Sequence, residues 1–301
     1  MAPTAPWPSN GSSRAAPRCL VNGEARADLD VSDRGLAYGD GLFETIAIRA
    51  GRPCCWPAHL DRLALGAVRL GLPVPSPACL KREVTRLGAG VERGILKIIV
   101  TRGPSARGYR PPPEPKPTRI LMLDEQPLSA LGADTDGLAA GDRAARVRLC
   151  RTRLGINPQL AGLKHLNRLE QVLARSEWAD GRVDEGLMLD IEGLLVCATM
   201  SNLFLVDEDG GLHTPPIDRC GVAGTARARV LEDAREAGLE VRERRLTLTD
   251  LVRARGAFLT NAVIGLWPMR AFEEQAFELS RLPWALLERV QARLLQPEFE
   301  W

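Results

Sequence analysis

A chain of 301 residues, 45% hydrophobic and 26% charged, carries enough apolar content for a buried core in one large or two modest domains. A net charge of +2 excludes the strongly basic or acidic balance that marks nucleic-acid and acidic-membrane partners, so neither is expected. Seven cysteines, odd in number and without a C-x-x-C pair, exclude a disulfide framework and a cysteine zinc site, and point to a reducing cytoplasm.

The first residues, MAPTAPWPSNGSSRAAPR, lack an apolar h-region, so 1–18 are expected to form a disordered leader rather than a secretory signal. From residue 19, CLVNGEA and LFETIAIRAG alternate like strands. PAHLDRLALGAVRLGL spaces its leucines like a helix, and a second helix is expected near 77–88. Strand GILKIIVTRG, a Pro-rich loop and strand TRILMLDE complete a small α+β domain over 19–125. Residues 126–142 form the best linker, rich in Gly, Ala and Asp without period. A larger, sheet-rich domain is expected over 143–301, with GTARARVLEDAREAG a helix, GAFLTNAVIGLWPM a strand and PWALLERVQARLLQ a closing amphipathic helix. No apolar run approaches membrane length.

Candidate chemistry centres on LAGLKHLNRLEQVLARS. Only four of the 40 basic residues are lysine, namely Lys81, Lys97, Lys116 and Lys164, so the chain uses arginine wherever charge alone suffices. A lysine differs from arginine in that its desolvated amine can lose a proton and become a nucleophile or base. The spacing of Leu163, Leu166, Leu169 and Leu173 predicts a helix, with Lys164, Arg168, Gln171 and Arg175 on another side. Periodicity alone therefore also fits a solvent-facing lysine. Only His59, His165 and His213 are available as histidine ligands, so no metal site is expected.

LAGLKHLNRLEQ resembles the active-site segment of the aminodeoxychorismate lyases. These belong to the pyridoxal-phosphate (PLP) family that also holds branched-chain and D-amino-acid transaminases. VSDRGLAYGDGLFETIAI, HLDRL, TRGPSARGY, SNLFLVD, CGVAGTARARVL and LTNAVIGLWPM follow in the family's order. The resemblance implies an α+β, two-domain fold of the D-amino-acid aminotransferase type (fold type IV). It implies PLP as cofactor, 4-amino-4-deoxychorismate as small-molecule substrate, and a homodimer. Lys164 would carry the cofactor's aldehyde and act as the base. Arg62 would hold the phosphate together with residues 221–225, including Val222 and Ala223, at the start of a helix whose free N–H groups favour an anion. Asn261 and Ala262 would lie beside the cofactor, and Tyr38, Phe43, Arg107 and Tyr109 would meet the substrate. Taken singly, Arg62 is equally a surface arginine, Asn261 an ordinary turn residue and Phe43 plain core. A transaminase of the same family and a non-catalytic protein on the same scaffold remain open.

One residue departs from the pattern. Five positions before the Asn202 of the NLF segment the family places a glutamate that bonds the protonated ring nitrogen of PLP; here the residue is Cys197. A carboxylate keeps that nitrogen protonated and the ring a strong electron sink, whereas a neutral thiol does so poorly.

Overall fold

The computed structural model describes residues 18–125, 144–179 and 181–298. The expected leader, apart from Arg18, and the expected linker at 126–142 lie outside the described residues.

The N-terminal half is built on a five-stranded antiparallel sheet. Its strands are β1 (Arg18–Val21), β2 (Gly41–Arg49), β3 (Arg52–Pro53), β4 (Arg93–Thr101) and β5 (Thr118–Glu125), in the order β1-β5-β4-β2-β3. Alternation decides which side of β2 is core. Leu42, Ile46 and Ile48 turn inward with Leu96, Ile98 and Val100 of β4, against helices α2 (Trp56–Leu70) and α3 (Pro77–Gly88). Phe43 and Thr45 therefore face the other way, and Thr45 lies opposite Lys97 in the ladder. A short helix, α1 (Arg34–Tyr38), precedes β2; the Asp33 carboxylate caps it by accepting from Gly35 N.

The C-terminal half holds α4 (Leu169–Arg175), α5 (Thr225–Glu236), α6 (Leu248–Arg253) and α7 (Trp284–Leu295) around a larger sheet. Its strands are β6 (Ala145–Leu149), β7 (Glu185–Leu189), β8 (Leu195–Ala198), β9 (Asn202–Val206), β10 (Leu212–Thr214), β11 (Val241–Glu243), β12 (Gly256–Asn261) and β13 (Gly265–Phe272), with β14 (Gln275–Ala276) paired to β13. They run in the order β11-β10-β9-β12-β13-β6-β7-β8. β9 is buried along its whole length, because α5 and α7 cover one face and residues such as Leu195, Leu246 and Leu251 fill the other. No helix among the described residues is long and apolar enough to cross a membrane.

Two expectations need correction. GAFLTNAVIGLWPM is not one strand but a hairpin, in which β12 and β13 pair antiparallel with Asn261 opposite Gly265. The Asn261 side chain starts the reversal by accepting from Val263 N and Ile264 N, and Gly265 takes a φ of +79° that a side chain would strain. Lys164 is not on a helix either. Helix α4 begins only at Leu169, and the residues before it form isolated β-bridges and a bend instead. The expected leucine stripe does not form: Leu163 is core, while Leu169 and Leu173 are 76% and 60% exposed.

Candidate active site

The backbone around Lys164 is held from both sides. Gly162 donates to Gly221 O (3.0 Å) and accepts from Ala223 N (3.1 Å). Two residues on, Lys164 O accepts from Phe43 N (2.9 Å), and Leu166 N donates to Gly41 O (3.1 Å). The segment thus joins the turn before α5 to the start of β2, which fixes where the amine emerges. Lys164 Nζ lies 4.3 Å from the centroid of the Phe43 ring. Burial first, then the nearby Arg62 guanidinium, pull its pKa down from 10.5 to about 8. An appreciable share of the amine is then free base near neutral pH, as a carbonyl-trapping nucleophile requires.

Arg62 sits on α2 and reaches in two directions. Its Nε and Nη2 fork onto Glu44, with Nε 2.8 Å from Oε1, and its Nη1 donates to Ala223 O at 3.1 Å. His59, one turn earlier, meets Glu44 Oε2 at 2.6 Å. Burial would raise the Glu44 pKa, but Arg62 and His59 override it and hold the carboxyl at about 2, so it stays ionised. That carboxylate keeps the guanidinium pointed at residues 221–225.

Those residues fit a phosphate. Gly224 is the N-cap of α5 and offers no side-chain cap, so the first-turn amides have none from it. The Thr225 hydroxyl is buried with no hydrogen-bond partner among the described residues. A Cβ at Gly224 would fall 2.1 Å from Asn202 Oδ1, so only glycine permits this close approach. Asn202 in turn fixes the turn by donating to Val222 O (3.0 Å). An orphaned hydroxyl, a helix N-terminus and the neighbouring Arg62 guanidinium together suit an anion of phosphate chemistry.

The remaining sequence candidates divide. Arg107 and Tyr109 are exposed on the loop after β4, and that loop is tied to α1. Gly108 N donates to the Tyr38 hydroxyl (3.2 Å), the Tyr38 and Tyr109 rings are 5.3 Å apart, and Arg34 holds Gly108 O and Tyr109 O at 2.9 and 2.8 Å. Tyr38, Arg107 and Tyr109 thus form one lobe, while Phe43, Arg62, Val222 and Ala223 gather around Lys164. The Asn261 side chain is committed to its turn and to Ser201 Oγ (3.1 Å). Ala262 follows it, half-buried.

Cys197 lies on β8, buried beside Cys150 and Cys220. Burial pushes its thiol far up, so it is neutral. The carboxylate that acts on it, Glu185, is already engaged. Its oxygens accept from Thr199 Oγ1 (2.5 Å), Gly186 N (2.8 Å) and Met200 N (3.2 Å), and burial raises its pKa. No cluster of His, Cys, Asp or Glu among the described residues could hold a metal ion.

The matched family model is that of class IV amino-transferases, over residues 41–272. The chain belongs to this family. It is 32% identical to an aminodeoxychorismate lyase of Vibrio harveyi over 91% of this chain and 98% of that one. It is 28% identical to a bifunctional aminodeoxychorismate lyase / D-amino acid transaminase of Mycobacterium tuberculosis, over 78% and 82%. The crystal structure of 4-amino-4-deoxychorismate lyase from Pseudomonas aeruginosa is similar at 44% identity and a TM-score of 0.81, covering 92% of this chain and all of that one. Membership brings fold type IV and PLP dependence, with which the amine and the phosphate-like site agree.

Sequence reasoning missed Glu44 and the place of His59 beside it, and named Lys97 only as one of the four lysines. Glu44 had one signal, a lone carboxylate inside the apolar run LFETIAI. Lys97 Nζ lies 5.3 Å from the Phe43 ring centroid, over the same ring as Lys164, and makes no ion pair among the described residues.

Proposed function

We propose that the protein is a PLP-dependent lyase that converts 4-amino-4-deoxychorismate to 4-aminobenzoate and pyruvate in folate synthesis. The likeness to lyases over nearly the whole chain carries this choice over transamination. Lys164 and residues 221–225 would hold PLP, which would supply an electron-withdrawing ring to the reacting centre. The chain supplies the rest. Arg62 and the Thr225 hydroxyl anchor the phosphate, and Phe43 forms an apolar floor beneath the lysine. With the substrate held there, the Lys164 amine, depressed to about 8, would be partly free base and would take the proton from the amine-bearing carbon. The carbon–oxygen bond to the enolpyruvyl group then breaks, its electron pair leaves with the oxygen, and the ring becomes aromatic. That aromatisation is a driving force built into the substrate, so the step tolerates the weaker sink beside a neutral Cys197.

Two carboxylates on the substrate call for two cations. Lys97, free of ion pairs among the described residues, and Arg107 on the loop tied to α1 are the two assigned here. Arg107→Ala and Lys97→Ala should each raise KM about ten- to a hundredfold with PLP occupancy unchanged, the loss of one charge-assisted contact. Weakened PLP binding at constant KM would instead place that cation at the cofactor.

Cys197→Ala should keep most lyase turnover, since a neutral spacer suffices. Cys197→Glu should raise the ring nitrogen's proton affinity and increase slow transamination of an added amino acid, with lyase turnover little changed. Melting curves control for overpacking, which can cost about 1–3 kcal/mol. Collapse of turnover in a folded, PLP-loaded Cys197→Ala would contradict the spacer role.

A homodimer in the cytoplasm completes the proposal. It is supported by Leu169, Val172 and Leu173, apolar and exposed on α4 just after the Lys164 segment, and by seven free cysteines. The competing transaminase needs a keto-acid acceptor. Turnover of 4-amino-4-deoxychorismate that rises only when such an acceptor is added would favour it.

A further inference from the structure

Residues 102–117, between β4 and β5, form neither helix nor strand, and Ala106, Arg107, Gly108, Tyr109 and Arg110 are exposed. A loop of that length keeps one shape only where buried groups tie it down. Its neck is pinched by backbone contacts: a Cβ at Gly103 would fall 1.8 Å from Lys116 O, Arg34 N donates to Gly103 O (3.0 Å), and Ser105 N donates to Ser32 O (3.2 Å). Its tip is tied by a side chain. Arg34, 3% exposed, donates from Nη1 to Gly108 O (2.9 Å) and Ser105 Oγ (3.3 Å), from Nη2 to Tyr109 O (2.8 Å) and from Nε to Asp40 Oδ2 (2.7 Å).

The carboxylate behind that guanidinium links the loop to the rest of the site. Asp40 also accepts from Arg102 Nε (2.8 Å) and Nη2 (3.0 Å), and Arg102 donates to Leu70 O (2.9 Å) and Gly71 O (2.7 Å) at the end of α2, the helix that carries Arg62. Burial would raise the Asp40 carboxyl, but the two arginines override it and hold it below the usual carboxylate range, so it is ionised and orients both. The residues on either side of Asp40 are bonded to the lysine's segment: Asn167 Nδ2 donates to Gly39 O (3.1 Å) and Leu166 N to Gly41 O (3.1 Å). A turn fixed to the Lys164 segment therefore holds, through Asp40 and Arg34, the two carbonyls that follow Arg107. That task suits a planar fork, which reaches a carboxylate and two carbonyls at once, and not the point charge of a lysine.

We propose that Arg34 is a positioning residue for substrate binding: by holding Gly108 O and Tyr109 O it sets the reach of Arg107 toward the Lys164 amine. This rests on the reading of Arg107 as a contact for a substrate carboxylate. Arg34 itself is buried beneath the loop, its guanidinium 4.9 Å from the centroid of the Tyr38 ring, so it acts through the loop.

The test is a double-mutant cycle on the PLP-loaded enzyme. Arg34→Gln should raise KM about tenfold with kcat and PLP content held, because a released loop forfeits part of the contact that Arg107→Ala loses entirely. In the Arg107→Ala background the same change should add less than about twofold, since the two residues act as one unit. Without substrate, trypsin cleavage after Arg107 should quicken by about tenfold in Arg34→Gln, because the bond cut lies beside the released carbonyls. Effects on KM that multiply in the double variant, an unmoved KM in Arg34→Gln, an unchanged cleavage rate, or a fall in kcat or PLP content at constant KM each overturn the proposal. If Arg34→Gln does not fold, Arg34→Lys takes its place in the cycle: it keeps the charge beside Asp40 but not the fork, and an unmoved KM there overturns the proposal. An unchanged KM in Arg107→Ala refutes the Arg107 reading and the proposal with it, whereas a raised KM in Arg107→Ala beside an unmoved one in Arg34→Gln overturns the proposal alone.

Discussion

Lys164→Ala should abolish the borohydride-stable attachment of PLP and lower lyase turnover by roughly a thousandfold or more, since one amine serves as both anchor and base. Lys164→Arg should fail equally, because a guanidinium neither traps the aldehyde nor gives up its proton. Folding should survive both changes: the amine makes no hydrogen bond among the described residues that its loss would orphan, and the segment is held by backbone pairing to Gly41, Phe43, Gly221 and Ala223. The pH dependence follows from the depressed pKa. Only the free base captures the aldehyde, so the rate of PLP uptake by the cofactor-free protein should rise with pH through a midpoint near 8, rather than near the 10.5 of an exposed lysine. Stopped-flow absorbance measures it. A borohydride-trapped adduct that persists in Lys164→Ala and maps to Lys97 would move the chemistry to the second amine.

The second large effect belongs to Arg62. Arg62→Ala removes the fork on Glu44 and the contact with Ala223 O, leaving a buried carboxylate with His59 as its remaining partner. Breaking such a pair costs about 3–5 kcal/mol, and loss of the phosphate contact should weaken PLP affinity about ten- to a hundredfold besides. The stability term has a definite pH window. Glu44 has a folded pKa lowered to about 2, so its contribution is present above the ordinary carboxylate pKa and lost as pH falls from about 4.5 toward 2. Melting temperature against pH should therefore flatten in that window in the variant. A melting temperature lowered with PLP affinity intact would confine Arg62 to holding Glu44.

Motif order singled out Lys164, Arg62 and the Gly-rich turn, which the fold brings together, because each proposed chemistry restricts both residue type and spacing. Periodicity misled where local pattern and tertiary pairing disagree. Leu163, Leu166, Leu169 and Leu173 are spaced for a helix, yet the backbone at 162–166 finds partners on two neighbouring segments and stays non-helical; the last two leucines are left outside. The run Ala262, Val263, Ile264 is apolar enough to read as continuous strand, and the decisive signals were Asn261 before it and Gly265 after it. The Glu44, His59 and Arg62 network joins residues 15 and 18 apart through the packing of β2 against α2. Neither helix nor strand period contains that geometry.

Incubation of the PLP-loaded protein with 4-amino-4-deoxychorismate, with no keto acid present, tests the central claim most directly. The account predicts repeated turnover giving 4-aminobenzoate and pyruvate in equal amounts, and none of either with Lys164→Ala. Absence of 4-aminobenzoate from wild-type protein that has bound PLP at Lys164, together with amino-group transfer from an amino acid to a keto acid, would contradict it.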